Sequence, residues 1–230
     1  MGVLLLIRHG RTEANATGLL AGRMPGVVLD TVGQESASTL GKRLASIPIV
    51  GMVSSPLERT LETAQHILDH RTEPDIEIVP DSRLIECDYG TWQGRLLEEL
   101  ADEPLWKTVQ EHPEQMIFPE GEAMQAMADR AVNAVREWDD KFVNEYGEKS
   151  IWAAVSHGDV IKAICADALG VPLEKFQRIM IEPASVSVIH YSKSGAAVAK
   201  LNDSGDSWIT SLATITAEPT LGGQSGKEQG

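Results

Sequence analysis

Apolar positions change period along the chain, and the changes separate strands from helices. Residues 3–7, Val-Leu-Leu-Leu-Ile, form an unbroken apolar run, the pattern of a strand covered on both faces. Across 32–47 the pattern becomes Ala37, Leu40, Leu44 and Ile47, spaced for one stripe of a helix. A short strand at 50–54 is followed by Pro56, placed to open a helix running to about His70. Residues 76–79 predict a third strand. Within 120–146, Met124, Met127, Ala131, Val135, Trp138 and Phe142 recur at spacings of three and four, an amphipathic helix. A buried strand at 151–156 leads into a helix at 159–169, stopped by Gly170 with Pro172 beyond. Segments 185–191 and 196–201 predict a closing hairpin around 192–195.

Strands alternating with helices predict an α/β fold, a sheet with helices on its faces. No internal repeat or linker interrupts residues 1–216, which read as one domain, with 95–120 as an insertion or lid over the sheet. From 217 to 230 the composition turns to Gly, Ser, Gln and charge, predicting a disordered tail.

Charge narrows the range of partners. A formal net charge of −14 argues against nucleic acid and against an anionic membrane surface, both of which need a basic face. The charge is uneven: residues 1–60 hold six Lys/Arg against four Asp/Glu, and 86–150 hold six against sixteen. A small anion is therefore drawn to the first part of the chain. Two cysteines, Cys87 and Cys165, make no disulfide framework and fit a reducing compartment. The apolar run at 3–7 is too short for a signal peptide, and no stretch has the apolar length that spans a bilayer. The expectation is a cytoplasmic protein.

The candidate chemistry sits at strand ends, where open α/β sheets collect ligands. Arg8-His9-Gly10 ends the first strand, Ser55-Pro56-Leu57-Glu58-Arg59 the second, and Ser156-His157-Gly158 the one at 151–156. These groups suit phosphoryl transfer. Arg8 and Arg59 each offer a planar, permanently charged fork for two phosphoryl oxygens. A neutral histidine whose other nitrogen is held by an acceptor is a nucleophile near neutral pH. Gly10 and Gly158 are expected to let backbone approach the phosphate.

Four ordered stretches then resemble the signatures of the histidine phosphatase superfamily, also called phosphoglycerate-mutase-like. They are Arg8-His9-Gly10-Arg11-Thr12-Glu13-Ala14-Asn15, then Ser54-Ser55-Pro56-Leu57-Glu58-Arg59-Thr60, then Glu86-Cys87-Asp88-Tyr89-Gly90-Thr91-Trp92-Gln93-Gly94, and Ser156-His157-Gly158-Asp159-Val160-Ile161. The resemblance spans about 3–201. It implies a three-layer sandwich with a mixed, mostly parallel central sheet, and no metal ion or other cofactor. It implies that His9 attacks phosphorus while Arg8, Arg59 and His157 hold the transferring group. Asn15, Tyr89 and Gly158 would bind phosphate or substrate. Glu86 would protonate the leaving oxygen and then act as base for water, a role that suits a carboxyl in a partly closed apolar pocket.

Other candidates read as structural. His66 and His70 lie four apart on a helix, but no Glu stands directly between them as the zinc-protease motif requires. Cysteine-phosphatase chemistry resembles a Cys followed six positions later by Arg, whereas Cys87 is followed at that distance by Gln93. Two departures from the family pattern matter. True mutases carry paired arginines after the third signature, yet 97–120 contains no arginine and only Lys107. Such a lid suits a less charged or partly apolar phosphomonoester. At Gly121-Glu122-Ala123 the family often has Gly-Glu-Ser, which puts a polar contact from the third position in question.

The expected function is metal-independent hydrolysis of a small phosphorylated metabolite through a phosphohistidine. A phosphomutase using the same intermediate and a non-catalytic phospholigand-binding module stay open as alternatives, as does a homodimer.

Overall fold

The computed structural model describes residues 1–72, 76–205 and 221. Strand β1 (Val3–Arg8) is followed by helices α1 (Glu13–Thr17) and α2 (Thr31–Leu44), then β2 (Ile49–Ser54), α3 (Glu58–Leu68) and β3 (Ile78–Pro80). Short helices α4 (Leu97–Leu100) and α5 (Trp106–Glu111) precede the long α6 (Met124–Tyr146). The chain closes with β4 (Ile151–Ser156), α7 (Gly158–Ala168), β5 (Val186–Ser192) and β6 (Gly195–Asp203). The six strands lie in the order β3-β2-β4-β1-β5-β6. The first four are mutually parallel, and β5 runs antiparallel to both of its neighbours. The sheet is therefore mixed and mostly parallel, as expected.

The apolar run of β1 is explained by its two covered faces. Leu4 and Leu6 enter one core, with residues of α6 and α7; Leu5 and Ile7 enter the other, with residues of α2 and α3. Strand β4 divides the same way, Trp152 and Ala154 against Ala153 and Val155. A three-layer sandwich results. Each such fully buried leucine contributes about 2 kcal/mol, so the central strands anchor both layers. The 95–120 segment joins the α6/α7 layer, where Leu100, Val109, Met116 and Phe118 are buried.

The structure departs from the expected elements in small ways. Helix α3 begins at Glu58 with Leu57 as its cap, so Pro56 precedes the helix instead of opening it. Helix α1 has too few residues to show a period and escaped the pattern. Ala123 caps α6 without a side-chain bond, so what this departure from Ser removes is a helix cap. Of the segment expected to be a disordered tail, 217–230, all but Leu221 lies outside the described residues; Leu221 is fully buried against the α6/α7 core.

Candidate active site

Strands β2, β4 and β1 are consecutive in the sheet and parallel, so their carboxyl ends meet at one edge. In register, Arg8 pairs with Ser156, and Ser54 with Val155, which sets the residues that follow each strand side by side. His9 leaves β1, Arg59 stands in the first turn of α3, and His157 caps α7. All three are buried, at 3%, 2% and 0% exposure. Arg59 joins the two rings. Its Nε donates to His9 Nε2 at 3.3 Å, its Nη2 lies 3.2 Å from His157 Nδ1, and the ring centroids are 5.3 Å apart.

These contacts define the tautomers. Because a guanidinium only donates, His9 Nε2 and His157 Nδ1 carry lone pairs. His9 Nδ1 then carries the proton and donates to the Gly10 carbonyl at 2.7 Å. His157 Nε2 donates to Ser55 Oγ at 2.7 Å. Burial first, and then the charges of Arg59 and Arg8, hold His9 well below its ordinary imidazole value. The ring is a neutral base with its nucleophilic lone pair turned toward a cation. His157 is lowered by burial and by Arg59, His9 and Arg8.

A pocket opens over this edge, lined by the polar residues His9, Arg59, Glu86, Tyr89, Asn15 and Thr12. Ala14, Leu19, Leu20, Ala21, Leu97 and Leu221 supply its apolar lining. Glu86 is 4% exposed, and its Oε1 accepts from Cys87 N at 2.9 Å. Its carboxyl is pushed up to about 7, by burial first and then by the charge of Asp159, against the pull of Arg59 and Arg8. Tyr89 is fully buried and donates to Asp159 Oδ2 at 2.8 Å. Asn15 Oδ1 accepts from the backbone and hydroxyl of Thr12 at 3.1 and 3.0 Å, capping α1 and leaving the amide NH2 as its remaining side-chain donor. Arg59 Nη1 is buried without a hydrogen-bond partner among the described residues, a cationic donor that suits an anion.

Arg8, His157 and Gly158 are brought to the same edge but do not line the open pocket. Arg8 is fully buried and donates to the Ile181 carbonyl at 2.6 Å. Gly158 is the first residue of α7. The expectation for Gly10 is corrected. Its amide donates to Thr63 Oγ1 at 3.0 Å, and a Cβ there would lie 2.5 Å from the Gly33 carbonyl of α2. Glycine is needed for that helix to approach, not for phosphate.

Sequence reasoning did not assign the groups that hold the acid in place. The Glu86 carbonyl accepts from Arg23 Nε at 2.8 Å and from Arg130 Nη2 at 3.2 Å, and Glu122 binds both arginines at 2.7 and 2.6 Å. Asp159 and Lys162, both buried, pair at 3.2 Å on α7, and Lys162 also reaches Gln177 at 3.0 Å. An i, i+3 Asp–Lys pair in a helix whose stretch Val160–Ala166 is otherwise apolar was the available signal.

Among the described residues no helix is long and apolar enough to cross a membrane. Residues 4–204 match the histidine phosphatase superfamily (branch 1). The chain is 31% identical over 202 residues to phosphoserine phosphatase 1 of Hydrogenobacter thermophilus (strain DSM 6534 / IAM 12695 / TK-6), covering 86% of this chain and 91% of that protein. It is 30% identical over 191 residues to an Enterobacter sp. (strain 638) protein named "Probable phosphoglycerate mutase GpmB", covering 82% and 85%. The crystal structure of the alpha-ribazole phosphatase from Shigella flexneri superposes with a TM-score of 0.73 at 27% identity, over 88% of this chain and 97% of that one. With the ordered strand ends and this match over nearly its whole length, the chain belongs to the histidine phosphatase superfamily, a family of phosphatase and phosphomutase enzymes.

Proposed function

We propose that this enzyme hydrolyses a small phosphomonoester, without a metal ion, through a phosphohistidine on His9. The observation that carries the reading is the hydrogen bond from His9 Nδ1 to the Gly10 carbonyl, which leaves Nε2 as an unprotonated nucleophile beside Arg59. The lone pair of Nε2 forms a bond to phosphorus as the bond to the alcohol oxygen breaks, and that oxygen takes the proton of the Glu86 carboxyl. Arg59 holds the equatorial oxygens, Arg8 adds its charge from behind, His157 orients the Arg59 fork, and the negative end of the Gly10 carbonyl dipole faces the imidazolium that forms. Water then attacks phosphorus and gives its proton to the Glu86 carboxylate. The phosphorus–nitrogen bond breaks, phosphate leaves, and both residues return to their starting states. Asn15 and Tyr89 complete the binding surface.

Phosphatases and mutases of the family share this first half, and relatives named for both exist. Hydrolysis is favoured here because 97–120 offers no arginine to retain a carboxylated product for rephosphorylation. The test is to incubate the purified enzyme with labelled monoesters, quench, and assay both protein and medium. Acid-labile, base-stable label on the protein with free phosphate in the medium is expected. An isomerised ester without phosphate release would replace hydrolysis by mutase chemistry, and absence of protein-bound label would remove the covalent step.

A further inference from the structure

Resting on that reading, we infer that Arg23, anchored by Glu122, is a positioning residue that holds the Glu86 acid in register with the phosphate-gripping Arg59. Two peptide planes carry the link. The first joins Gly22 to Arg23. Its carbonyl accepts from Arg59 Nη2 at 2.7 Å, and its N–H donates to Gln93 Oε1 at 2.6 Å.

The second plane joins Glu86 to Cys87. Its carbonyl accepts from Arg23 Nε at 2.8 Å and from Arg130 Nη2 at 3.2 Å. Its N–H donates to Oε1 of the Glu86 carboxyl itself at 2.9 Å. A peptide unit is rigid and planar, so fixing its carbonyl aims its N–H. That N–H holds Oε1, leaving Oε2 to carry the proton that the departing alcohol oxygen receives. Arg23 thus reaches the acid through its backbone, while its own amide belongs to the plane that Arg59 grips.

The anchor joins three segments. Glu122 Oε1 accepts from Arg23 Nη2 at 2.7 Å, from Arg130 Nη2 at 2.6 Å and from Asp88 N at 2.9 Å. Burial favours its neutral form, yet the two arginines and the Asp88 amide hold this carboxyl below its ordinary value, an anion between two cations. Arg130 Nη1 extends the grip to the carbonyls of Arg83 and Ile85, each at 2.7 Å. Arg130 therefore ties the acid's segment to α6, whereas Arg23 ties it to the loop that carries Gly22. Removing Arg23 leaves the first attachment and frees the second.

Arg23 does not line the pocket, so its effect on turnover passes through Glu86 or through Gly22 and Arg59. The two routes give different kinetics. An alkoxide needs a proton in order to leave, whereas a nitrophenoxide departs without one, so only the first depends on the acid. A change felt through Arg59, or through the fold alone, moves both kinds of ester alike. Because kcat/KM covers the steps through alcohol release, the later work of Glu86 as a base does not enter it.

In the full-length enzyme, Arg23→Met should lower kcat/KM for an alkyl monoester such as glycerol phosphate by at least about tenfold more than for p-nitrophenyl phosphate, within the scale for a small misplacement of a catalytic group. Combined with Glu86→Gln, it should add little further loss on the alkyl ester, because both changes remove the same proton donation. Glu122→Gln keeps the shape and loses the charge; it should repeat the pattern, and serves if Arg23→Met unfolds. Equal losses on the two esters, or losses that add in the double variant, overturn the positioning role and leave the acid reading standing. If Glu86→Gln alone shows no excess loss on the alkyl ester, the acid reading falls and this inference with it.

Discussion

His9 Nδ1 lies 2.7 Å from the carbonyl oxygen of Gly10, its own neighbour in sequence. The bond fixes which nitrogen holds the proton and leaves the lone pair on the other. His9→Ala should lower kcat by at least about ten-thousand-fold, the scale seen when a catalytic nucleophile is removed. Steady-state kinetics on any accepted monoester, with circular dichroism to show an intact fold, checks this. Retention of most activity would sink the mechanism.

Arg59 holds His9, His157 and the Gly22 carbonyl together, the last at 2.7 Å through Nη2. Arg59→Ala is expected to reduce kcat/KM by roughly a hundred- to a thousand-fold, as for other deletions of a transition-state donor. Arg59→Lys should recover little, since a point charge cannot reproduce a planar fork. Near-complete rescue by lysine would mean that Arg59 acts through charge alone.

The carboxyl of Glu86, at about 7, predicts a pH profile. The first step needs the protonated form, so kcat/KM should fall on the alkaline side of about pH 7 and stay flat toward mild acid, where lowered His9 remains neutral. The stability sign follows from the same shift. A carboxyl raised from 4.5 to about 7 in the fold adds stability that is fully present below 4.5 and lost as pH rises through about 7. Glu86→Gln should flatten that part of the stability curve, a change of up to about 3 kcal/mol, while abolishing the alkaline limb of activity. An unchanged alkaline limb in that variant would assign it to another group.

Asp159 accepts from Tyr89 and pairs with Lys162 inside α7, and its charge is the second cause of the raised Glu86 carboxyl. Asp159→Asn should shift the alkaline limb of kcat/KM to lower pH. It should also cost about 3 kcal/mol in urea unfolding, the scale for removing one partner of a buried ion pair. A stable variant with an unmoved pH profile would contradict both effects.

Much of this architecture was legible because the informative segments are local. The alternation of Leu4 and Leu6 with Leu5 and Ile7 announces two faces, and the signatures at the ends of β1, β2 and β4 carry the groups that converge. What stayed hidden depends on partners distant in sequence. Arg23, Glu122 and Arg130 meet at the Glu86 carbonyl only because the loop before α2 folds over the start of α6. The need for glycine at position 10 comes from Gly33, a packing constraint that a motif reading mistakes for chemistry. Asn15 was identified as a site residue, but its second task as a cap of α1 shows only once Thr12 is seen bonded to it. Leu221, from a segment of loop-like composition, joins the pocket through a contact no periodicity encodes.

Nothing within a single strand–helix unit holds His9, Arg59 and His157 together: the ends of β1, β2 and β4 supply one each, and the parallel ladders between them set the spacing. Heat or urea that separates those ladders must silence turnover at the same moment that it melts the sheet. Residual activity during denaturation can therefore serve as a direct gauge of how many molecules still have their central strands joined.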